Sequence, residues 1–491
     1  MQRRWKILLV TSVAVFMSFL DVTIVNIAFP DMRTSFPLVS LAHLSWVINA
    51  YNVVFAAALV PAGRLADRFG RRRFFIAGIV LFLAASALCG LAWNVDVLIA
   101  ARTLQAFGGA ILVPTSLGLA LPEFPLGQRA TATALWGAAG AAAAALGPSL
   151  GGLLVDWRSW RWVFFVNLLI GIPALVPAYR LLEESRAKKT VLPDPLGAIM
   201  LGSAVASLSL GIVEGPTWGW GSEGVIAAFV IAALVVPLFV LRSARHPAPI
   251  FELSLFKVRS FAVSNAGVFT FAAGFYALLL SNVLFLTGVW HYSVLRAGVG
   301  LTPGPLMAML SAPIGGRISD RFGQRVVAFP GGLIFAAGAL FLYLATGRQP
   351  EYAATFLPGI LLTGTGVGLA FSGFSSAAVA QLPRNRFATG SAISATSRQI
   401  GAVVGVATLI AVLGTPAPAA AVTSFHRAWL LMIATGAAAG LLALALGRVR
   451  ARHVEAVADM GEGHVASPGT PSPAWANGAS TTTTAQSGHG A

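Results

Sequence analysis

Fourteen separate stretches of about 20 mostly apolar residues run along this chain, and they leave few folds open to it. A hydrocarbon core about 30 Å thick is crossed by about 20 helical residues at 1.5 Å each. The stretches, with soft edges, are 7–29, 44–63, 74–92, 96–121, 130–155, 161–183, 193–213, 222–242, 261–284, 298–318, 325–346, 353–379, 389–414 and 427–447. Of the 491 residues, 57% are hydrophobic and 10% charged. A soluble domain carries about 25% charged residues. A larger soluble core does not explain the deficit, because a soluble surface still needs polar cover. The runs are continuous, whereas a membrane β-barrel needs alternating strands of about ten residues. The expected fold class is all-α integral membrane, with 14 transmembrane helices. The opening "MQRRWK" and the apolar run behind it resemble a secretory leader. That run exceeds a leader's apolar region of roughly 7–15 residues, so it reads as a retained first span.

Charge placement orients the spans. The chain has 33 Lys and Arg against 17 Asp and Glu, a net charge of +16. Of the 33 basic residues, 25 fall at the two termini and in the even-numbered loops, six in or beside odd-numbered loops, and two, Arg102 and Arg398, within spans. Basic loops stay in the cytoplasm. Both termini are therefore expected there, in the cell inner (plasma) membrane, and the number of spans must be even. The basicity is thus topological, with attraction to anionic lipid as a by-product, and needs no nucleic acid. The single cysteine, Cys89, excludes an internal disulfide, and the seven scattered histidines show no metal-ligand spacing.

An internal repeat divides the chain. "GRLADRFGRR" (63–72) closes the second span and "GRISDRFGQR" (316–325) closes the tenth, with seven of ten positions identical. "GQRATATAL" before the fifth span is echoed by "RNRFATGSAI" before the thirteenth. Both offsets are eight spans, yet only four spans follow the second motif. Two six-helix bundles with two extra helices between them account for this. The expected division is 1–186, an N-terminal bundle; 187–255, two inserted helices and a cytoplasmic loop; 256–450, a C-terminal bundle; and 451–491, a disordered cytoplasmic tail. The end of that tail, "SPGTPSPAWANGASTTTTAQSGHGA", is too small and polar to build a core. Repeated halves that rock about a central site are a transporter signature.

The repeated loop has its own physics. Gly63 and Gly70 permit close approach and unusual backbone angles at the helix end, as do Gly316 and Gly323 in the second copy. Asp67 can pair with Arg68 or Arg71, and Asp320 with Arg321, or either carboxylate can meet a neighbouring helix N-terminus. Contacts of this kind on one membrane face would hold the halves in one state and break in the other. The plainer reading makes these arginines topology signals. In the fifth span, "GAAGAAAAALGPSLGG" is nearly free of side chains, so helices can pack closely there. Gly147-Pro148 supplies a bend, with Gly151 and Gly152 following. A close, bent, dry contact suits a gate between bundles.

Charges inside spans are costly, at least about 2.5–3.5 kcal/mol on insertion scales. Asp21 lies roughly 21 Å into the first span and Arg102 roughly 10 Å into the fourth, which runs the other way, so both sit at similar depth. They should face the cavity or one another. Burial disfavours a charged carboxylate and a nearby arginine favours it, so a site balanced between the two can load and release a proton. Asp21 could equally pair a cationic substrate. The structural alternative is a permanent Asp21–Arg102 salt bridge. Arg398, roughly 14 Å into the thirteenth span, has no acidic partner in its half; snorkelling, carbonyl bonding and an anionic substrate group all stay open. A weakly selective apolar site would draw its polar and aromatic groups from Asn26, Tyr51, Asn52, Gln105, Asn265, Phe269, Phe275, Tyr276, Asn282 and Arg398. Glu214, beside Trp218 and Trp220, reads as part of an interfacial belt.

From residue 1 to about 450 the chain resembles the major facilitator superfamily, and within it the 14-helix drug:proton antiporters of the EmrB/QacA type. "LDVTIVNIAFP" in the first span, "GRLADRFGRRR" after the second, "IAARTLQAFGGA" in the fourth, "ALGPSLGG" in the fifth and "TSRQIGAVVG" in the thirteenth carry the resemblance. It implies a major facilitator fold, a membrane-buried arginine at Arg102, and an exporter's fifth-span motif at Gly147, Pro148, Gly151 and Gly152. The tenth span lacks the carboxylate that some relatives use for doubly charged drugs. No phosphate-binding loop of the G-x-x-x-x-G-K-[ST] type occurs, so ATP is not expected as the driver. The expected function is a proton-coupled multidrug efflux antiporter. It would export hydrophobic compounds, cationic ones included, by alternating access. It is a secondary active transporter rather than an enzyme, with no cofactor or metal beyond the proton-motive force. Its partners are protons, a small hydrophobic substrate and the bilayer; the oligomeric state is left open. Alternatives are a dedicated exporter of an endogenous antibiotic, lipid or metabolite, and a non-transporting receptor or scaffold. The last would show no substrate-induced proton flux.

Overall fold

The computed structural model describes residues 2–125, 128–186, 194–382, 386–414 and 420–446. The expected tail at 451–491 lies outside them. Among the described residues, fourteen helices are long and apolar enough to cross a membrane.

The N-terminal half holds α1 (Arg3–Ser35), α2 (Leu41–Phe69), α3 (Arg71–Leu91), α4 (Val95–Ala120), α5 (Arg129–Trp157) and α6 (Trp162–Leu181). Next come α7 (Pro195–Trp218) and α8 (Glu223–Arg245). The C-terminal half holds α9 (Arg259–Gly288), α10 (Val294–Leu301), α11 (Pro303–Phe322), α12 (Arg325–Ala345), α13 (Leu357–Ala380), α14 (Phe387–Leu413) and α15 (Ala421–Leu444). Two helices, α10 and α11, make up the expected tenth span, which is broken at Thr302 ahead of Pro303. A proline lacks the amide hydrogen that would continue the ladder. Two ends extend past the apolar runs: α1 begins at Arg3 and α2 continues to Phe69. Hydropathy marks the hydrocarbon crossing, not the helix end.

Helix packing repeats between the halves. In the first, α1 packs on α4, α5 and α6, α4 on α2 and α3, and α3 on α6. In the second, α9 packs on α13, α14 and α15, α13 on α11 and α12, and α12 on α15. Each contact maps onto its partner by the eight-span offset read from the loop motifs. The two motif copies also share a backbone conformation: Gly70 has φ +123° and Gly323 φ +96°. Only glycine takes such angles without strain.

Apart from smaller contacts of α1 on α9 and α10, the halves meet chiefly along two seams, α2 against α14 and α5 against α10 and α11. The repeat relates them, since they are the second and thirteenth spans and the fifth and tenth. The inserted helices break this symmetry. α7 packs on both α2 and α14 and so lies over one seam, while α8 packs on α7. α8 turns Ile226, Val230, Leu234 and Leu238 outward, the pattern of a lipid-facing surface. At its start α7 is held by Asp194. This carboxylate caps the helix by accepting from Gly197 N–H and accepts from Arg242 Nε and NH2 of α8 at 2.8–2.9 Å. Burial opposes the charge on Asp194, but the Arg242 guanidinium and the Gly197 amide hold its carboxyl below the usual carboxylate range. Glu214 is buried in the protein, and the charged group acting on it is His43, itself paired with Asp96.

Candidate functional site

Two neighbouring features occupy the middle of the bundle. One is a sealed polar network in the N-terminal half; the other is a cavity between the halves.

Asp21 is fully buried and anchors the network. Its Oδ2 accepts from Arg102 NH1 at 2.5 Å. Its Oδ1 accepts from Gln105 Nε2 at 2.8 Å and from Asn167 Nδ2 at 3.0 Å. Ser86 Oγ accepts from both amides and donates to the Phe164 carbonyl. Arg102 also donates from Nε to the Val47 carbonyl and from NH1 to Gln105 Oε1. Its guanidinium lies 4.1 Å from the centre of the Tyr51 ring and 5.8 Å from that of Phe164. Five helices, α1, α2, α3, α4 and α6, thus converge on one carboxylate. A carboxylate accepts every one of these bonds. A protonated carboxyl would turn an O–H toward N–H donors. Protonation therefore requires a rearrangement here, and Asn167, whose Oδ1 is buried and unbonded, can supply it by turning its amide over.

The cavity has a volume of about 740 Å³. The N-terminal half supplies α1 and α5 to its wall; the C-terminal half supplies α9, α10, α11, α13 and Arg398 of α14. Helical geometry explains why Asp21 is not in it. Val15, Phe19, Val22 and Asn26 form one stripe of α1 and line the cavity. Asp21 belongs to another stripe, with Ala14, Met17, Ile24 and Ala28, all buried in the bundle. At 100° per residue the two stripes face different ways. Asp21 and Arg102 face one another and not the cavity.

Five of the ten residues put forward for the cavity line it: Asn26, Phe275, Tyr276, Asn282 and Arg398. The other five do not. Tyr51 and Gln105 are committed to Arg102 and Asp21. Asn265 donates to the Phe261 carbonyl and accepts from Ser397 Oγ, tying α9 to α14. Phe269 sits where Gly401 of α14 presses on its carbonyl. Asn52 is buried with neither amide atom bonded. An apolar span does not reveal which of its polar groups are already spoken for. Sequence reasoning missed Asn167 and Ser86. Asn167 left a signal, a lone amide in "FFVNLLIGIP". Ser86 left none, since a spanning serine commonly bonds its own helix.

The fifth-span motif forms close contacts on two sides. A Cβ on Gly147 would meet Thr23 of α1, and one on Gly152 would stand 2.8 Å from the Val294 carbonyl of α10. Opposite, a Cβ on Gly298 would overlap the carbonyl of Pro148. Asp156 Oδ1 accepts from Leu295 N at 3.2 Å beside them. The α5–α10 seam is thus backbone against backbone at the end of the bundle away from the basic loops.

In the loop motif, Asp67 Oδ1 accepts from Arg71 Nε at 2.6 Å, and Arg71 NH1 donates to the Gly118 carbonyl of α4. Gly63 packs on Pro114, and Gly70 lies against Glu184, which accepts from Arg72 N. Arg68 stacks over Phe69. These contacts stay within the N-terminal half. In the second copy Gln324 replaces the arginine equivalent to Arg71, and Asp320 makes no ion pair among the described residues. There Arg321 stacks on Phe322, and Gly316 faces open space.

The Major Facilitator Superfamily model matches residues 11–406. The chain is 35% identical to Multidrug resistance protein Stp of Mycobacterium tuberculosis (strain CDC 1551 / Oshkosh) over 83% of its own length and 75% of the relative's. It is 32% identical to the Tetracenomycin C resistance and export protein of Streptomyces glaucescens, covering 83% and 75%. It is 33% identical to the Probable actinorhodin transporter of Streptomyces coelicolor, covering 89% and 77%. The fold is also that of a bacterial homolog to the human lysosomal transporter Spinster, with a TM-score of 0.65 and 18% identity over 91% of this chain and 98% of that one.

Proposed function

The chain belongs to the major facilitator superfamily, and from that premise we propose that it is a proton-coupled antiporter exporting hydrophobic small molecules by alternating access. The observation that carries the reading is the Asp21 network. It is a titratable group held by three N–H donors from two helices, next to a cavity of ligand size. Pockets of about 300–1,000 Å³ hold drug-sized ligands.

The coupling follows from the donor geometry. With Asp21 ionised, Arg102, Gln105 and Asn167 draw α4 and α6 onto α1. A proton on Asp21 removes one acceptor and loosens these helices. α1 also carries the cavity stripe and the contact to α5, so the loosening reaches both the substrate site and the α5–α10 seam. The charge rule puts both termini and the basic loops in the cytoplasm. The glycine-packed seam then closes the outer side. A membrane potential supplies about 2.3 kcal/mol per elementary charge per 100 mV. At about 1.4 kcal/mol per tenfold, one uncompensated charge per cycle sustains a gradient of roughly 40-fold.

Export of a single endogenous antibiotic uses the same geometry. Two Streptomyces relatives whose names mention tetracenomycin C and actinorhodin favour considering it. A growth-inhibition panel in an efflux-deficient bacterium expressing the chain separates the two. Protection against several unrelated apolar drugs supports multidrug export; protection against one scaffold supports the dedicated exporter. No protection, together with no substrate-induced proton flux in proteoliposomes, refutes the transport reading.

A further inference from the structure

Resting on the export reading, we propose that the preferred substrate is an amphipathic organic anion, an apolar ring system bearing a carboxylate, phenolate or sulfonate, and that Arg398 is the residue that selects it. Arg398 is the only charged residue among the described residues lining the cavity. It makes neither an ion pair nor a hydrogen bond with any described residue, and its Nε is buried without a partner. Arg102 shows how this protein treats a structural arginine, with a carboxylate, a backbone carbonyl, an amide and two aromatic rings. Arg398 has none of these.

No carboxylate is placed to neutralise it. From Leu253 to Leu446 the only acidic residues are Asp320 and Glu351, both exposed at helix ends. Asp21 faces the other way and is already neutralised by Arg102. Arg398 is only partly buried, with its Nε sealed off, and an anion in the cavity would meet a cation that no protein carboxylate has neutralised.

The remaining polar wall is sparse and adds no second charge. The hydroxyls of Thr23, Thr363 and Ser372 donate to carbonyls of their own helices, so their protons are committed and only acceptor lone pairs remain for a ligand. Tyr276 lies within electrostatic reach of Arg398 and donates to Gln399 at 3.5 Å. Asn282, about 9 Å further along α9, also lines the cavity and makes no hydrogen bond to a described residue. An anionic head therefore meets the Arg398 guanidinium, while the buried, unbonded Oδ1 of Asn282 is an acceptor suited to an N–H or O–H elsewhere on the ligand. Aromatic faces on the wall would attract a cation weakly, but a full positive charge in the same cavity repels it more strongly.

Three dansyl probes of one ring system test this: dansylglycine (anion), dansylamide (neutral) and a quaternary-ammonium dansyl derivative (cation). The full chain is reconstituted in phosphatidylcholine vesicles, whose zwitterionic lipid adds no net negative charge. Dansylglycine should bind at least tenfold more tightly than dansylamide, and the cation more weakly than both. Arg398→Gln should bring dansylglycine to within about threefold of dansylamide, while Arg398→Lys should keep most of the preference. The melting temperature of Arg398→Gln should not fall, because no contact is lost. Wild-type protein binding the cation as well as the anion overturns the assignment without any variant. So does an anion preference that survives Arg398→Gln. Displacement of dansylglycine by added phosphatidylglycerol would assign the site to a lipid headgroup and also overturn it. Transport of the cation alone would refute only this inference, whereas transport of none of the three would refute the export reading beneath it.

Discussion

Replacing Asp21 with Asn removes a charge and almost no volume. The geometry states what the change costs. Arg102 loses its 2.5 Å carboxylate partner, and breaking a buried pair from one side costs about 3–5 kcal/mol. Arg102 keeps the Val47 carbonyl, the Gln105 carbonyl and the Tyr51 and Phe164 rings, so the lower figure applies, about 3 kcal/mol. The new amide nitrogen also finds an acceptor, because Asn167 Oδ1 is buried and unbonded and its amide can turn over. The variant should therefore reach the membrane, with reduced thermal stability in detergent. The assay is substrate-induced proton movement in proteoliposomes beside downhill substrate exchange. Asp21→Asn should lose at least tenfold of the proton flux and all uphill efflux. Downhill exchange should survive, since rocking of the halves does not require titration. Full proton-coupled efflux in the variant refutes Asp21 as the proton carrier. If the pair is only structural, Asp21→Asn should misfold, and Asp21→Asn with Arg102→Gln should restore folding and transport together.

Gly298→Ala places a Cβ against the Pro148 carbonyl. Overpacking of about 1–3 kcal/mol should shift the population away from the closed α5–α10 seam by roughly fivefold to hundredfold. Cross-linking of cysteines placed at Asp156 and Leu295, in a Cys89→Ala background, should fall accordingly, and an unchanged yield contradicts the seam's role as gate. Asp67→Asn weakens a half-exposed pair with Arg71 worth about 1 kcal/mol or less. Substrate affinity should stay within a few-fold while transport slows at least tenfold at normal membrane levels; loss of affinity at unchanged turnover would argue against a conformational role. Reporter fusions at residues 247 and 451 should both give cytoplasmic signals, and a periplasmic signal at either breaks the 14-helix count.

The number of helices and their pairing into two halves were legible in the sequence, because a bilayer of fixed thickness sets the length of each apolar run. The repeated "GRLADRFG" and "GRISDRFG" went further, since equal motifs at an eight-span offset also imply equal packing, and the contacts repeat that way. Asp21 and Arg102 could be matched in depth because rise per residue is constant along a helix. Rotation was another matter. Apolar residues surround every spanning helix on all sides, so hydropathy carries no phase to say which polar group faces the cavity. Tyr51 and Gln105 looked like ligand contacts and belong to the Asp21 network, Asn265 instead ties α9 to α14, and Asn167 and Ser86 passed unnoticed yet hold the network together. The place of α7 over the α2–α14 seam and the isolation of Arg398 were decided by tertiary structure alone. Each depends on which helices become neighbours, and the bilayer constrains the length of a span without choosing what lies beside it.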